Sequence, residues 1–183
     1  MSIQAHATVA DLYAVEGKAE LVNGELVPMC PTGDAPNYAV GRVFIALAAY
    51  EEQYKTGRAV TDGAGFLVNL PHRQSFSPDA AFHVGPHAGM KFLVGAPVFA
   101  VEVRSEGDYG RRMEQEMATK RADYFAAGTL VVWDVDLQSP NVVRVYRATD
   151  LTQPTIYRRG DLAEAEPAVP GWTMPVDELF DEE

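Results

Sequence analysis

Six consecutive residues, Leu130-Val131-Val132-Trp133-Asp134-Val135, constrain this chain more than any other stretch. A strand-length run that is apolar at nearly every position offers no face suited to water, so it predicts a strand covered on both sides. Val98 to Arg104 predicts a second strand, with Phe99, Val101 and Val103 on one face and Glu102 and Arg104 on the other. Between the two, after Ser105-Glu106-Gly107-Asp108, a helix is expected to run to Ala127 and to stop at Gly128.

The remaining segments fit around this unit. Glu20-Leu21-Val22-Asn23-Gly24-Glu25-Leu26-Val27 places Asn-Gly between short apolar segments, which predicts a tight hairpin with positive φ in its turn. Pro28, Pro31, Gly33 and Pro36 mark a loop. Val40, Val43, Phe44, Leu47, Tyr50 and Tyr54 recur at helical spacing, so a helix capped by Asn37 is expected to reach about Tyr54 and to end at Lys55-Thr56-Gly57. Short strand-like pieces lie between Ala59 and Leu70, and residues 79–84 fit a strand entered through Pro78. Val142 to Tyr146 predicts another strand, while Pro167, Pro170 and Pro175 punctuate the tail. Hairpin, helix, strands, helix and strands in this order predict an α/β fold, a mixed β-sheet with helices packed against it. A length of 183 residues suits one domain, 1–183.

Charge narrows the partners. Asp and Glu number 26 against 15 Lys and Arg, a formal charge of −11, which argues against a broad basic surface for polyanions and leaves room only for a local or cation-assisted nucleic-acid site. Cys30 is the single cysteine, so no disulfide forms within the chain. The first residues lack a basic segment followed by an apolar one, and the apolar runs are far shorter than the roughly 20 residues of a membrane span, so a cytoplasmic location is expected.

Two acids stand out by position, Asp79 at the head of one strand and Glu102 inside another. A carboxylate in a sheet interior is costly to desolvate and requires a hydrogen-bond partner, a cation or an opening to water. Neighbouring strands would bring both acids to one site, where mutual repulsion favours a divalent ion, and oxygen ligands suit Mg²⁺ or Mn²⁺ better than zinc. The plainer alternative is that Asp79 caps a turn after Pro78 and Glu102 lies on an exposed edge strand. Helical spacing puts Met113, Met117, Lys120, Tyr124 and Ala127 in one stripe, so Lys120 lies inside an apolar face. Its ammonium either snorkels outward or reaches the acid pair, where it can hold a water or steady a phosphorane-like transition state. Arg104, two residues from Glu102, competes for that role. His83 and His87 are separated by Gly85-Pro86 and read as surface histidines, Ser105 reads as a turn residue, and Arg111 and Arg112 as a solvated first helical turn.

The ordered set Glu20 to Val27, Pro78-Asp79, Val101-Glu102-Val103 with Ser105, Lys120 with Tyr124-Phe125-Ala126-Ala127-Gly128, Val132-Trp133, Pro170-Gly171-Trp172 and Glu178-Leu179-Phe180 resembles the Uma-two family of putative restriction endonucleases, within the PD-(D/E)XK nuclease superfamily. The resemblance implies a restriction-endonuclease-like mixed sheet flanked by helices. It implies Asp79 and Glu102 as catalytic, metal-binding acids, the main-chain carbonyl of Val103 as a further metal ligand, and Lys120 as a catalytic lysine supplied by the helix. Glu20 and Arg104 would be auxiliary. Arg104 stands third in the superfamily's Glu-x-Lys, where arginine can stabilise charge but cannot act as a base. The implied cofactor is Mg²⁺ or Mn²⁺, the implied partner DNA, and the implied reaction phosphodiester hydrolysis by metal-activated water. A homodimer would suit cleavage of both strands. Two other functions fit the residues: a non-enzymatic interaction or nucleic-acid-binding module on the same fold, and a metal-free glycoside hydrolase using Asp79 and Glu102 as acid and base.

Overall fold

The computed structural model describes residues 6–181. Helix α1 (Val9–Ala14) is opened by a capping box, in which Thr8 and Asp11 each satisfy the other's backbone amide. The hairpin β1 (Ala19–Val22) and β2 (Glu25–Pro28) turns at Asn23 and Gly24, with φ of 53° and 71°. Both angles are positive, as the Asn-Gly pair requires. Helix α2 (Asp34–Tyr54) begins three residues before the expected cap. Gly33 is its N-cap and Pro36 lies within the first turn, where an amide has no helical partner to lose. The loop is correspondingly shorter than the prolines suggested. Lys55 closes α2 in the left-handed conformation.

Strands β3 (Arg58–Thr61), β4 (Phe66–Leu67), β5 (Ser75–Phe76), β6 (Ala80–His83), β7 (Leu93–Val94) and β8 (Phe99–Val103) lead to helix α3 (Arg111–Ala126). Then come β9 (Val131–Val135), β10 (Val143–Arg147), β11 (Asp150–Tyr157), β12 (Leu162–Glu164), β13 (Thr173–Pro175) and a 3-10 turn, Val176–Leu179. The tail therefore holds three strands that its prolines disguised. β11 carries Pro154 and lies at the edge of the sheet, where a missing amide donor costs nothing.

Six strands form the main sheet in the order β11-β10-β9-β8-β6-β3. The β8–β9 pair is parallel, joined by the α3 crossover, and the other pairs are antiparallel. The sheet is therefore mixed and flanked by helices, as the sequence predicts. One face carries Phe82, Phe99, Val101, Val131 and Trp133 against Val40, Val43 and Leu47 of α2 and against Trp172 and Met174 of the tail. The other carries Ala81, Ala100 and Val132 against Tyr124 of α3 and against Phe66 and Phe76. β9 is thus covered on both sides, and all five of its residues are buried. No helix among the described residues is long and apolar enough to cross a membrane.

Candidate active site

Ala80 pairs with Val101, so Asp79, one step before Ala80, and Glu102, one step beyond Val101, meet at the end of the β6–β8 ladder. Strand alternation puts both on the α3 face. β8 is an interior strand between β6 and β9, which removes the alternative of an exposed edge for Glu102. The Asp79 carboxylate accepts the Val103 amide at 2.8 Å, so the backbone of β8 fixes it beside Glu102.

The α3 stripe delivers the amine. Lys120 Nζ lies 2.9 and 3.0 Å from the two Glu102 oxygens and 3.0 Å from Oε1 of Glu20. It does not snorkel outward, since its side chain is only 17 % accessible and its charge is spent between two carboxylates. One turn further along α3, Tyr124 donates its hydroxyl to Glu102 Oε1 at 2.6 Å. The Tyr124 ring stacks on Phe76, with centroids 4.0 Å apart, which holds the donor in place.

Glu20 is buried on β1 and fully engaged. It accepts the Ser77 amide at 2.9 Å and Arg73 at 2.5 Å besides Lys120. Arg73 passes the network on to Asp123 at 2.8 Å, and Asp123 to the exposed His72 at 2.7 Å. On the opposite side of the acid pair, Lys18 Nζ approaches Asp79 Oδ1 at 3.3 Å and also bonds Asp62.

These surroundings set the proton affinities. Burial, reinforced by Asp79 and Glu20, pushes the Glu102 carboxyl up to about 7 against the opposing pull of Lys120 and the Tyr124 hydroxyl. Burial disfavours the Lys120 cation, yet Glu102 and Glu20 outweigh it and raise the group above its ordinary value. Burial opposes ionisation of Glu20 too, but Lys120 and Arg73 hold its carboxyl low. Lys120 is therefore an ammonium at neutral pH, suited to stabilising charge and unable to accept a proton.

Asp79, Glu102 and Lys120 are brought together, one of the two arrangements the sequence left open, and Glu20, an auxiliary acid by the family resemblance, joins them beside a cleft of about 1630 Å³. Arg104 is not brought to Lys120's place. It lies on the same face, but its guanidinium is bidentate to Asp134 at 2.8 and 2.9 Å and is capped by Glu114 of α3. Asp134 stands in register with Glu102 on the parallel neighbour and also accepts from Arg121 at 3.3 Å. His83 departs from expectation as well: it is buried edge-on to Phe66, whereas His87 is exposed beside Arg58. Arg111 and Arg112 are exposed, and the Ser105 amide is satisfied by Asp108 in a turn.

Sequence reasoning missed Lys18, Arg73 and Asp134. A signal existed for two of them. Asp134 is the lone charge in an otherwise apolar buried strand, and Lys18 is two residues from Glu20, hence on the same side of an extended chain. Arg73 sits in a turn with no periodicity to mark it.

The mixed sheet, with two acids at the end of adjacent strands and a lysine from the crossover helix, places this protein in the restriction-endonuclease-like fold class. The chain belongs to the Uma2 family, described as a putative restriction endonuclease, whose pattern matches residues 9–177. A crystal structure of a putative nuclease belonging to DUF820 from Anabaena variabilis is similar, with a TM-score of 0.74 and 13 % sequence identity over 94 % of this chain and 97 % of that one. At that identity the likeness speaks for the fold. No curated protein matches the chain.

Proposed function

We propose that this protein is a metal-dependent endonuclease that hydrolyses phosphodiester bonds of DNA. The observation that carries the reading is the convergence of Asp79 and Glu102 from adjacent strands, with the Lys120 ammonium against Glu102. Membership of a family described as a putative restriction endonuclease supports the same class of chemistry.

The donor chemistry fits a hard cation. Among the described residues no group of three His, Cys, Asp or Glu side chains forms a metal cluster; the donors this reading assigns, the Asp79 and Glu102 carboxylates and the Val103 carbonyl, are all oxygens. Mg²⁺ keeps several waters and takes few protein ligands, which suits such a set, and Mn²⁺ shares the preference. When bound, the ion would activate water and offset charge on the phosphate.

The residues of the chain do the rest. With its carboxylate given to a cation Glu102 would hold Lys120 less tightly, and Glu20, 3.0 Å from the amine, would keep it in place. Lys120 then presents positive charge to a phosphate oxygen without exchanging a proton. Tyr124 and the Val103 amide orient the two acids. Arg104, locked to Asp134, is a structural element rather than an auxiliary group at the phosphate. The main sheet and its flanking helices act as one nuclease-like unit, and two copies would serve to cut both strands of a duplex.

The test is a titration of Mn²⁺ or Mg²⁺ into the wild type and the Asp79→Ala/Glu102→Ala variant, with plasmid cleavage followed in parallel. Binding and cleavage are expected in the wild type and lost in the variant. Equal binding in both, or none in either, removes the proposed site.

A further inference from the structure

Lys18 is a second ammonium at the acid pair that the reading above leaves without a task. It precedes β1 by one residue and lies two before Glu20, so the hairpin that carries Glu20 carries Lys18 to the same side. The two cations divide the site. Lys120 contacts Glu102 and Glu20, whereas Lys18 contacts Asp79 at 3.3 Å and bonds Asp62.

The Lys18 side chain is 16 % accessible and lines the cleft together with Asp79, Glu102 and Lys120. It is therefore held in a defined position yet reachable from solvent. An ammonium has three N–H donors, and Asp62 and Asp79 account for two of them. A lysine is an ammonium at neutral pH, and the Asp62 and Asp79 carboxylates beside it suit that form.

We infer that Lys18 is a further catalytic residue, the ammonium that contacts the scissile phosphate on the Asp79 side of the site as Lys120 does on the Glu102 side. This rests on the nuclease reading. In the reaction the water oxygen bonds phosphorus and the P–O bond to the leaving oxygen breaks. Its electron pair goes to that oxygen, which takes a proton from a solvent water and leaves as the alcohol, and the attacking water's proton passes to solvent. Lys18 neither gains nor loses a proton. It stabilises the charge that accumulates on the non-bridging oxygens at the transition state, and its bond to Asp62 would hold it there if Asp79 were given to a cation.

The experiment compares the wild type, Lys120→Ala, Lys18→Met and Lys18→Arg. Mn²⁺-dependent cleavage of plasmid DNA is followed, and so is binding of a labelled duplex oligonucleotide in Ca²⁺ at several salt concentrations. Lys18→Met is expected to lower kcat by about 10- to 100-fold, with Mn²⁺ affinity equal or tighter because Asp79 loses a competing cation. The slope of log Kd against log salt should fall by about one phosphate contact, and Lys18→Arg should recover part of the rate. Cleavage at the wild-type rate with an unchanged salt slope would overturn the role of Lys18 while leaving the nuclease reading intact. A wild type that neither binds duplex nor cleaves it in a Lys120-dependent way would overturn both. Should Lys18→Met fail to fold, Lys18→Gln replaces it in the same comparison.

Discussion

Glu102 and Arg104 stand two residues apart on one strand, face the same helix, and live in opposite electrostatic circumstances. Arg104 is 5 % exposed and saturated: Asp134 takes it bidentately, Glu114 closes it from α3, and Arg121 completes the balance of charge around Asp134. Glu102 opens toward a cleft, shares one ammonium with Glu20, and keeps its proton up to about pH 7. A sheet thus holds one charged cluster that is satisfied within the fold and another left under-neutralised by its own neighbours. The first fixes α3 to β8 and β9. The second is a site with an unfilled demand for positive charge, which is why the proposed chemistry is assigned there and not to Arg104.

Mutation should separate the two clusters by the sign of their effect on stability. Asp134→Ala leaves Arg104 and Arg121 without their buried partner, and a loss of about 3–5 kcal/mol is expected in urea denaturation. Glu102→Gln should act in the other direction. A carboxyl raised from 4.5 to about 7 carries a cost that is full above pH 7 and absent below 4.5. At pH 8 the variant should therefore be more stable than the wild type by about 1–2 kcal/mol after allowance for the open side of the site. That gap should close as the pH falls through 7 toward 4.5. Destabilisation at pH 8 would show that Glu102 is a structural partner like Arg104, and the contrast would collapse.

A smaller effect concerns the midpoint of metal binding. Protonated Glu102 is a poor ligand, so Mn²⁺ affinity measured by calorimetry should weaken as the pH drops below about 7. Lys120→Met removes the cation that draws the Glu102 proton off, so the midpoint should move to higher pH. A midpoint unchanged by this substitution would uncouple the two groups. The least effect is expected from Arg112→Ala. Its partner Glu116 is four residues along the exposed face of α3, and thermal unfolding should not change measurably.

Much of this arrangement is legible along the chain because it is written in periodicity. The α3 stripe placed Lys120 among Met113, Met117 and Tyr124, and alternation put Glu102 opposite the apolar face of β8. Asn23-Gly24 specified its hairpin through the backbone angles it permits. The tail was harder to read, since β11 is an exposed edge strand with a proline, and edges lack the apolar alternation that marks a half-buried strand. The start of α2 was missed because proline in a first turn looks locally like proline in a loop.

Sequence by itself determined which residues face together, because side-chain direction follows from the repeat of helix and strand. It also determined that a carboxylate at 102 would face away from the apolar side of its strand and that a lysine at 120 would sit within an apolar stripe of its helix. Only the tertiary structure decided who neutralises whom. Pairing of β6 with β8 set Asp79 beside Glu102, the hairpin brought Lys18 and Glu20 from more than fifty residues away, and β9 supplied Asp134 to draw Arg104 aside. These buried ion pairs join groups from different elements and take whichever partner the packing brings within reach, so no local pattern encodes them.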